Sequence, residues 1–304
     1  MAGAPNCYRF CMIVVAGSLN MDLVGRVPRL PDWGETVLGD DLARHAGGKG
    51  GNQAVASARL GARVAFAGAV GDDPFGEELR RGLQQEGIDT QALHARPAAS
   101  GCALIHLGPD GDNAISVLPG ANRLAPLPPQ PWPADWRLLL LQLEIPLATT
   151  LAWAEAARAV GAQVLLNAAP MQALPSALLA AVDLLVVNEG ELQALVGHFA
   201  DVAQALAEAA GRGPRRVVVT LGARGGMAWD EGRLLSWPGH AVSVVDSTGA
   251  GDTFTGALAA ALWQGRPFDD ALRLANAAAA LSCMQPGARG GMPRLAELEA
   301  WMAA

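Results

Sequence analysis

The sequence predicts an α/β fold in three layers: a mostly parallel central sheet, helices on both of its faces, and a small β lid. Short apolar runs alternate with alanine- and leucine-rich segments of helical length, which is typical of a parallel sheet covered on both faces. Hydrophobic residues make up 51% of the 304 residues and charged residues 17%, so the chain can bury a large core. We expect one domain over residues 1–304.

The predicted strands of the main sheet are short apolar runs that end in polar residues or glycine. They lie at residues 12–16, 63–70, 138–142, 163–167, 184–188 and 216–220, and a further strand is expected at 242–245. The predicted helices cover residues 54–60, 73–85, 148–160, 201–210, 251–263, 268–284 and 293–302. Ligands of an open parallel sheet bind at the carboxyl ends of its strands, so the polar residues at those ends are candidates for a site.

Two segments interrupt this alternation and predict the lid. Residues 22–46 mix polar and apolar positions with prolines and glycines, and the runs 102–107 and 114–118 flank a hairpin signal at 108–113. We expect a small antiparallel lid formed by about residues 19–46 and 101–120. The alternative is that both segments are ordinary surface loops.

Composition excludes several classes of function. The net charge is −7 and no basic run occurs, so a nucleic-acid partner is not expected. The four cysteines, at positions 7, 11, 102 and 283, have no zinc or redox spacing, which favours reduced thiols in a cytoplasmic protein. No stretch is long enough to span a bilayer. The histidines lack zinc-ligand spacing and no GxSxG elbow occurs.

The strongest local motif is the run DSTGAGDTF at residues 246–254. Glycines at 249 and 251 allow backbone N–H groups to approach an anion, and the N-terminus of the following helix favours a phosphate there. Asp252 would then lie beside a transferring phosphoryl group and accept the proton of an attacking hydroxyl. The alternative is an ordinary glycine turn with Asp252 as a favourable charge at a helix start. Neither a Walker A loop nor GxGxxG fits these residues.

A second glycine-rich motif, GGKGGNQ at residues 47–53, contains Lys49, the one lysine among 22 basic residues. Lysine is a compact point charge, and arginine cannot replace it at a tight site. Lys49 and Asn52 could donate hydrogen bonds to the hydroxyl groups of a small ligand lying against the glycines. The alternatives are a chance lysine and a flexible loop in which Asn52 caps a helix.

A third candidate pair follows the predicted strand 184–188. Asn188 and Glu191 are three residues apart, so a helix starting here puts both on one face. They could hold waters around a Mg²⁺ ion carried by ATP. The alternative is helix capping.

Together these motifs resemble the ribokinase group of the PfkB-type carbohydrate kinases over nearly the whole chain. Residues 17–22, 47–53 and 246–254 resemble the family's sugar-binding segment and its two signatures. Three further segments, at 71–76, 142–144 and 167–170, match in order and spacing. The resemblance implies a ribokinase-like three-layer sandwich and transfer of a phosphoryl group from ATP to a sugar, with D-ribose leading.

The resemblance also implies roles for individual residues. Asp252 would be the general base, and the anion hole would be formed by Gly249, Ala250 and Gly251. The sugar hydroxyls would contact Asn20, Asp22, Gly48, Lys49, Asn52, Glu144 and Asp252. ATP phosphates and Mg²⁺ would contact Asn188 and Glu191, and the nucleotide pocket would contain Thr220, Gly222, Gly225, Gly251 and Asn276. A K⁺ ion would be held by Asp246 and by backbone near Thr248, Ser282, Gln285 and Gly287.

The resemblance further implies a homodimer formed through the lid. Two positions depart from the family pattern: Gly291 stands where some members have a serine near the cation, and Gly51 where alanine is frequent. The alternatives are a kinase for deoxyribose, another sugar, a sugar acid or a nucleoside, and a non-catalytic sugar-binding regulator. A dinucleotide-dependent oxidoreductase is disfavoured because its fingerprint is missing.

Overall fold

The computed structural model describes residues 11–109 and 112–303 of the chain. Its strands are β1 (Met12–Ala16), β2 (Asn20–Arg26), β3 (Leu42–Gly47), β4 (Val64–Gly71), β5 (Leu93–Arg96), β6 (Gly101–Leu107), β7 (Asn113–Leu118), β8 (Trp136–Leu141), β9 (Gln163–Asn167), β10 (Leu184–Asn188), β11 (Arg216–Thr220), β12 (Gly226–Asp230) and β13 (Arg233–Trp237). The main sheet has nine of them, in the order β13-β12-β11-β10-β9-β8-β1-β4-β5. Neighbours from β11 to β5 pair in parallel, and β12 and β13 extend the sheet in antiparallel pairing.

The helices connect these strands and cover both faces of the sheet. They are α1 (Lys49–Arg59), α2 (Pro74–Gln85), α3 (Leu147–Ala159), α4 (Ser176–Ala181), α5 (Glu189–Val196), α6 (Val202–Gly211), α7 (Ala250–Trp263), α8 (Phe268–Ser282) and α9 (Leu295–Ala303). Within residues 11–109 and 112–303, no helix is long and apolar enough to cross a membrane.

Alternate residues of the central strands supply two separate cores. Ile13 and Val15 of β1 belong to the core that also contains residues of α1, α7 and α8, whereas Val14 and Ala16 belong to the core with α3 and α6. Successive side chains of a strand point to opposite faces, so each face of the sheet carries its own helix layer. The predicted three-layer fold is confirmed.

The lid is a separate four-stranded sheet in the order β3-β2-β6-β7. Its outer pairs, β2–β3 and β6–β7, are antiparallel, but the central pair β2–β6 is parallel. The prediction of an antiparallel lid is therefore wrong in its central pairing. β2 and β6 are far apart in sequence and both leave the main sheet in the same direction, so they align in parallel. Residues 110 and 111 of the predicted hairpin turn lie outside the described residues.

Asp73 joins the main sheet to the base of the lid. It caps α2 by accepting a hydrogen bond from Gly76 N at 2.8 Å. The same carboxylate accepts hydrogen bonds from Ser100 N and Ser100 Oγ, at 2.7 and 2.6 Å, immediately before β6. A single side chain therefore fixes both the start of a helix and the start of a lid strand.

Helix α1 begins earlier than predicted, at Lys49 rather than at residue 54. A Cβ atom on Gly50 would lie 2.6 Å from Ser18 N, so this glycine allows the helix to approach the backbone after β1. The glycines at 50 and 51 thus serve close packing and not a flexible loop, and Asn52 lies within the helix instead of capping it.

The strand expected at residues 242–245 does not form. Val244 and Val245 are 64% and 63% exposed, and Val245 N donates to the carbonyl of Cys283 rather than to a strand. The edge of the main sheet is occupied by β13, so this segment runs outside the sheet as a loop. The prediction of a strand at residues 242–245, which rested on their apolar composition alone, is therefore wrong.

Candidate active site

Asp252 lies in the first turn of α7, at the edge of the sheet where the parallel strands end. The residue is 7% exposed, and two side-chain amides of α1 donate to its carboxylate. Asn52 Nδ2 lies 3.0 Å from Oδ2 and Gln53 Nε2 lies 2.9 Å from Oδ1. The carboxylate is thereby held in one orientation.

Each of these amides has its own oxygen fixed by a further donor. Arg289 Nε donates to Asn52 Oδ1 at 2.8 Å, and Gln142 Nε2 donates to Gln53 Oε1 at 2.7 Å. Because the oxygens are occupied, both NH₂ groups face Asp252. The orientation of the candidate base therefore depends on a chain of buried amides.

A cluster of polar groups, called here the polar pocket, lies near Asp252 at the base of the lid. Asn20 is 3% exposed and accepts a hydrogen bond from Asn122 Nδ2 at 2.8 Å. Glu144 accepts one from the backbone N–H of Lys49 at 2.9 Å and another from the hydroxyl of Ser18. These groups are fixed before any ligand binds, as hydroxyl recognition requires.

Asp22 lies close enough to this pocket to interact with its charges. The net pKa of Asp22 is raised to about 6: burial raises it most, Arg289 lowers it, and the charges of Glu144 and Asp252 raise it further. The neighbouring strand allows this crowding because Gly47 has no side chain: a Cβ there would lie 2.1 Å from the Asp22 carboxylate. The next residue, Gly48, has φ of +83° as the chain turns into α1.

The glycine turn before α7 has the conformation that an anion hole needs. Gly249 has φ of +76° and a Cβ there would lie 2.8 Å from the Ala288 carbonyl oxygen, so no other residue fits without strain. A Cβ on Gly251 would meet no atom within 4 Å, so this side of the turn is open. The N–H groups of a first helical turn have no partner within the helix, and that of Ala250 donates to the Ser247 carbonyl at 3.2 Å.

A cavity of about 220 Å³ opens at this turn. Its lining includes Gly249, Gly251 and Asp252, together with Lys49, Asn167, Asn188, Glu191 and Thr220. The sequence predicted Lys49 as a sugar ligand, and the structure places it at the junction of the polar pocket and this cavity. Burial lowers the pKa of Lys49, but the charges of Asp252, Glu144 and Glu191 outweigh burial and the net shift is upward. The ammonium group is therefore charged at neutral pH.

Asn188 and Glu191 form a reciprocal capping box at the start of α5. Asn188 Oδ1 accepts from Glu191 N and Glu191 Oε2 accepts from Asn188 N, both at 2.8 Å. The capping alternative is thus present in the structure, and both residues also line the 220 Å³ cavity. Burial raises the pKa of Glu191.

A larger and more apolar cavity of about 560 Å³ adjoins the first and shares Thr220 and Gly251 with it. Its lining includes the predicted nucleotide residues Thr220, Gly222, Gly225 and Asn276, and the side chains of Phe254 and Val242. Asn276 Nδ2 donates to the Pro238 carbonyl at 3.0 Å. A flat aromatic base fits an apolar cavity of this kind.

Comparison with known proteins agrees with this geometry. The model of the pfkB family carbohydrate kinases matches residues 11–295. The chain belongs to this family. A ribokinase of Lactococcus lactis is 40% identical over 297 residues, covering 95% of this chain and 96% of that protein. A deoxyribokinase of Salmonella typhimurium is 32% identical over 303 residues, covering 95% of this chain and 98% of that protein.

A solved structure of Arabidopsis thaliana ribokinase complexed with ribose and ATP has a TM-score of 0.89 to this kinase at 32% identity. The match covers 97% of this chain and 99% of the Arabidopsis chain. The predicted family, the ribokinase-like fold and the ATP-dependent carbohydrate kinase activity are confirmed.

Hydrogen bonds join Asp246 of the predicted cation site to Thr248 and Gly287, and Asp246 N donates to the carbonyl of Cys283, which lies between the predicted residues Ser282 and Gln285. Asp246 Oδ1 accepts from Thr248 N at 2.9 Å and Oδ2 accepts from Gly287 N at 2.8 Å. Burial raises the pKa of Asp246, but these bonds outweigh it and hold the pKa below its usual value. The Ser282 hydroxyl donates to Ala279 O at 2.8 Å, and Gln285 is exposed. No group of three or more acidic, histidine or cysteine side chains fit to hold a metal occurs in the described part of the chain.

Gly291 is packed too tightly to carry the serine found in some family members. A Cβ atom there would lie 2.0 Å from the Ser282 carbonyl oxygen. With this backbone, the hydroxyl ligand is excluded by sterics, and only main-chain oxygens remain on that side.

The groups that contact the site and that sequence reasoning missed include Gln53, Gln142 and Arg289. The two glutamines lie within motifs used for the resemblance, yet glutamine has no spacing that marks it as a partner of a distant carboxylate. Arg289 is one of 21 arginines and lies far along the chain from Asn52. A signal was available only for Gln53, which follows Asn52 directly in the glycine motif.

Proposed function

We propose that this kinase transfers the γ-phosphoryl group of ATP to O5 of D-ribose, giving ribose 5-phosphate and ADP. The observation that carries this proposal is the position of Asp252 between two sites. On one side lies the polar pocket under the lid, and on the other the cavity at the N-terminus of α7. Its ribokinase relatives favour ribose as the acceptor.

The acceptor pocket suits a small polyol. Asn20, Asp22, Asn52 and Glu144 offer carboxylate and amide groups, and Gly48 with the backbone of Lys49 closes one wall. Carboxylates accept hydrogen bonds from pairs of neighbouring hydroxyls, and the amides can donate as well as accept. The same groups, left unpaired by an analogue that lacks a hydroxyl, would disfavour that analogue.

Asp252 acts as the general base. It accepts the proton of the O5 hydroxyl as the bond from O5 to the γ-phosphorus forms and the bond from that phosphorus to the β–γ bridging oxygen breaks. ADP leaves with the electron pair of the broken bond, and the proton on Asp252 passes to solvent. Such proton transfer contributes typically ~10²–10⁴ in rate.

The backbone N–H groups of Gly249, Ala250 and Gly251 hold the charge that develops on the phosphoryl oxygens. They lie at the positive end of the α7 dipole and are fixed before the reaction. The Lys49 ammonium, at the boundary of the two sites, adds positive charge near the same oxygens and near the sugar.

The nucleotide lies in the larger cavity, against Thr220, Gly222, Gly225, Gly251 and Asn276. Mg²⁺ accompanies ATP and prefers oxygen ligands. The carboxylate of Glu191 and the amide oxygen of Asn188, which line the cavity of about 220 Å³, fit this preference. When bound, Mg²⁺ neutralises phosphate charge. The two residues would hold it through water, because each already completes the capping box.

A K⁺ ion behind the glycine turn is part of the proposal. Asp246 and the backbone near Thr248, Ser282, Gln285 and Gly287 would supply its oxygens. Both carboxylate oxygens of Asp246 accept backbone N–H groups and each keeps a further lone pair. The ion would fix the orientation of the anion-hole N–H groups without touching substrate.

We also propose a homodimer formed through the lid. The lid sheet exposes Leu42, Leu104, Ile115 and Val117, which are 69%, 38%, 53% and 47% exposed. Leu42 and Leu104 lie on one face of the sheet and Ile115 and Val117 on the other, and exposed apolar side chains of this kind are typical of a protein–protein contact. A cytoplasmic location is proposed as well, and the free thiols of Cys102 and Cys283 support it.

The test is ADP release by the purified protein with Mg-ATP and a panel of D-ribose, 2-deoxyribose, fructose, a sugar acid and adenosine. We expect the highest kcat/KM with D-ribose, and mass spectrometry and NMR to locate the phosphate at O5. The deoxyribokinase relatives make deoxyribose the second candidate. A preference for deoxyribose or a nucleoside refutes the ribose assignment, and failure to turn over any acceptor favours a non-catalytic sugar-binding regulator.

A further inference from the structure

Arg289 carries its guanidinium group into the protein beneath the sugar pocket. Nε donates to Asn52 Oδ1 at 2.8 Å and Nη2 donates to the Gly47 carbonyl at 3.0 Å. These contacts join the loop after α8 to the end of β3 and to the first turn of α1. None of the sugar, nucleotide or metal contacts proposed above uses this side chain.

The first contact selects the orientation of Asn52. With its oxygen held by Arg289, Asn52 presents its NH₂ group to Asp252 Oδ2 at 3.0 Å. A flipped Asn52 would place its oxygen against the carboxylate and its NH₂ group against a guanidinium donor, which loses both hydrogen bonds. Arg289 therefore controls a donor to the base without contacting the base itself.

The second consequence is electrostatic, because Arg289 and Asp22 lie against the same glycine: Arg289 Nη2 donates to the Gly47 carbonyl, and a Cβ on Gly47 would lie 2.1 Å from the Asp22 carboxylate. The groups that face Asp22 are Arg289 from the loop after α8, Glu144 from the loop after β8, and Asp252 from α7. Cys102 of β6 interacts with Asp22, and His45 is its register partner on β3. Among these groups Arg289 is a cation and favours the ionised form of Asp22, whereas burial and the two carboxylates oppose it. Burial lowers the pKa of Arg289 to about 10, so its charge is retained at neutral pH.

We propose that Arg289 is a positioning residue of the sugar site, which fixes the Asn52 amide beside the catalytic base and places a positive charge near the Asp22 carboxylate. The proposal rests on the function proposed above, because Asp22 must be a carboxylate to accept hydrogen bonds from two sugar hydroxyls. Arg59 anchors the loop from behind: its Nη1 donates to the carbonyls of Arg289 and Met292 at 2.7 and 3.0 Å. The guanidinium of Arg289 is therefore held in place from both ends.

The test compares Arg289→Gln, which removes the charge, with Arg289→Lys, which keeps it. The first measurement is the titration of the Asp22 carboxyl by carbon-13 NMR without sugar, so it does not depend on the substrate. We expect Arg289→Gln to raise the pKa of Asp22 by about one unit, as loss of a near opposite charge does. Arg289→Lys should raise it less.

The second measurement is the pH profile of kcat/KM for ribose. In Arg289→Gln the acid limb should move to higher pH, because Asp22 is then protonated over a wider range. A rise of the pKa from about 6 to about 7 lowers the ionised fraction at pH 6 from about one half to about one tenth. The KM for ribose at pH 6 should therefore rise about fivefold, and in Arg289→Lys the loss should fall more on kcat, through the misplaced Asn52.

Arg59→Met is the matched control, since it loosens the same loop but leaves the Arg289 charge. The proposal is overturned if the Asp22 titration is unchanged in Arg289→Gln, or if Arg59→Met shifts it as far. Should Arg289→Gln not fold, Arg289→Met and Arg289→Lys give the same comparison. If the wild type does not phosphorylate ribose, the proposed function fails, yet the NMR titration still decides the electrostatic role of Arg289.

Discussion

Replacing Asp252 with asparagine would do more than remove the proposed base. The carboxylate accepts from Asn52 Nδ2 at 3.0 Å and from Gln53 Nε2 at 2.9 Å. An asparagine has one oxygen and one NH₂ group, so in either orientation its NH₂ group faces another NH₂ group. Neither neighbour can turn over freely, because Arg289 and Gln142 hold their oxygens.

Two effects of different size follow from this geometry. Loss of the general base lowers kcat by ~10²–10⁴. The facing donors remove one buried hydrogen bond and leave a donor unsatisfied, which costs about 1–3 kcal/mol in the free energy of unfolding. Relief of charge repulsion from Asp22 would reduce this cost, so we expect the lower half of the range.

The assay is urea unfolding together with single-turnover kinetics at saturating ribose and ATP. The double variant Asp252→Asn with Gln53→Glu supplies an acceptor opposite the new NH₂ group and should recover part of the lost stability, but no activity. The recovery is partial because Gln53 Nε2 also donates to Asn167 Oδ1 at 3.0 Å. Asp269→Asn, in a surface ion pair with Arg233, is the control and should leave both properties unchanged.

Two outcomes would refute this reasoning separately. Near-normal kcat in Asp252→Asn means that Asp252 is not the base. Wild-type stability of the same variant, with no gain from Gln53→Glu, means that the amide chain does not constrain residue 252. A double-mutant cycle between 53 and 252 measures the coupling directly.

Three further predictions follow from other parts of the structure. Hydrogen exchange at residues 22–46 and 102–118 should slow on addition of saturating ribose, because hydroxyl contacts hold the lid over the pocket; unchanged exchange argues against a mobile lid. KCl should support a higher rate than NaCl or tetramethylammonium chloride at equal ionic strength, and equal rates, with Asp246→Ala still active, would remove the cation site. Burial raises the pKa of Asp73, but bonds from Ser100 and Gly76 outweigh it and the net shift is downward. Its stabilising contribution is therefore present above the unfolded pKa of 3.8 and is lost as pH falls through the lower folded value. In Asp73→Ala, unfolding measured from pH 2 to 7 should show a loss of about 0.5–2 kcal/mol at neutral pH that shrinks in acid; a constant loss would contradict the linkage.

The sequence was most informative where one local cause dominates. The strands at 163–167, 184–188 and 216–220 were predicted to the residue because each is a buried apolar run, and burial on both faces leaves a strand few alternatives. The positive φ of Gly249 and the helix after it also follow from local residues, since glycine is the default residue for that conformation.

Long-range pairing was harder to predict. The parallel contact of β2 with β6 joins residues about eighty positions apart along the chain, and no local pattern specifies which edge a lid strand takes. The same holds for Arg289 and Asn52, whose contact spans 237 positions. The glycines of α1 misled the prediction for a different reason, since glycine at a close backbone contact and glycine in a loop look alike in sequence.

The parallel pairing in the lid also determines how far Asn20 and Asp22, the proposed sugar-binding residues of β2, can move. Asn20 pairs with Gly47 and Gly101, and Cys102 pairs with Leu118, so all four chain connections of the lid lie along one line at its base. A sheet that is connected to the rest of the domain along one line can rotate as a rigid body only about that line. Asp22 is two residues from it, about 7 Å at the rise of a strand, and Arg26 is about 20 Å away.

A swing of about 10° therefore moves Asp22 by about 1 Å, while the outer end of β2 moves by about 3.5 Å, on the same strand rise. Asn20 lies on the axis and stays in place. A rotation of the lid that moves its tip far therefore moves the base of β2 only slightly, so a wide opening for entry requires only a small adjustment of the Asp22 carboxylate, which we propose as a sugar-binding group.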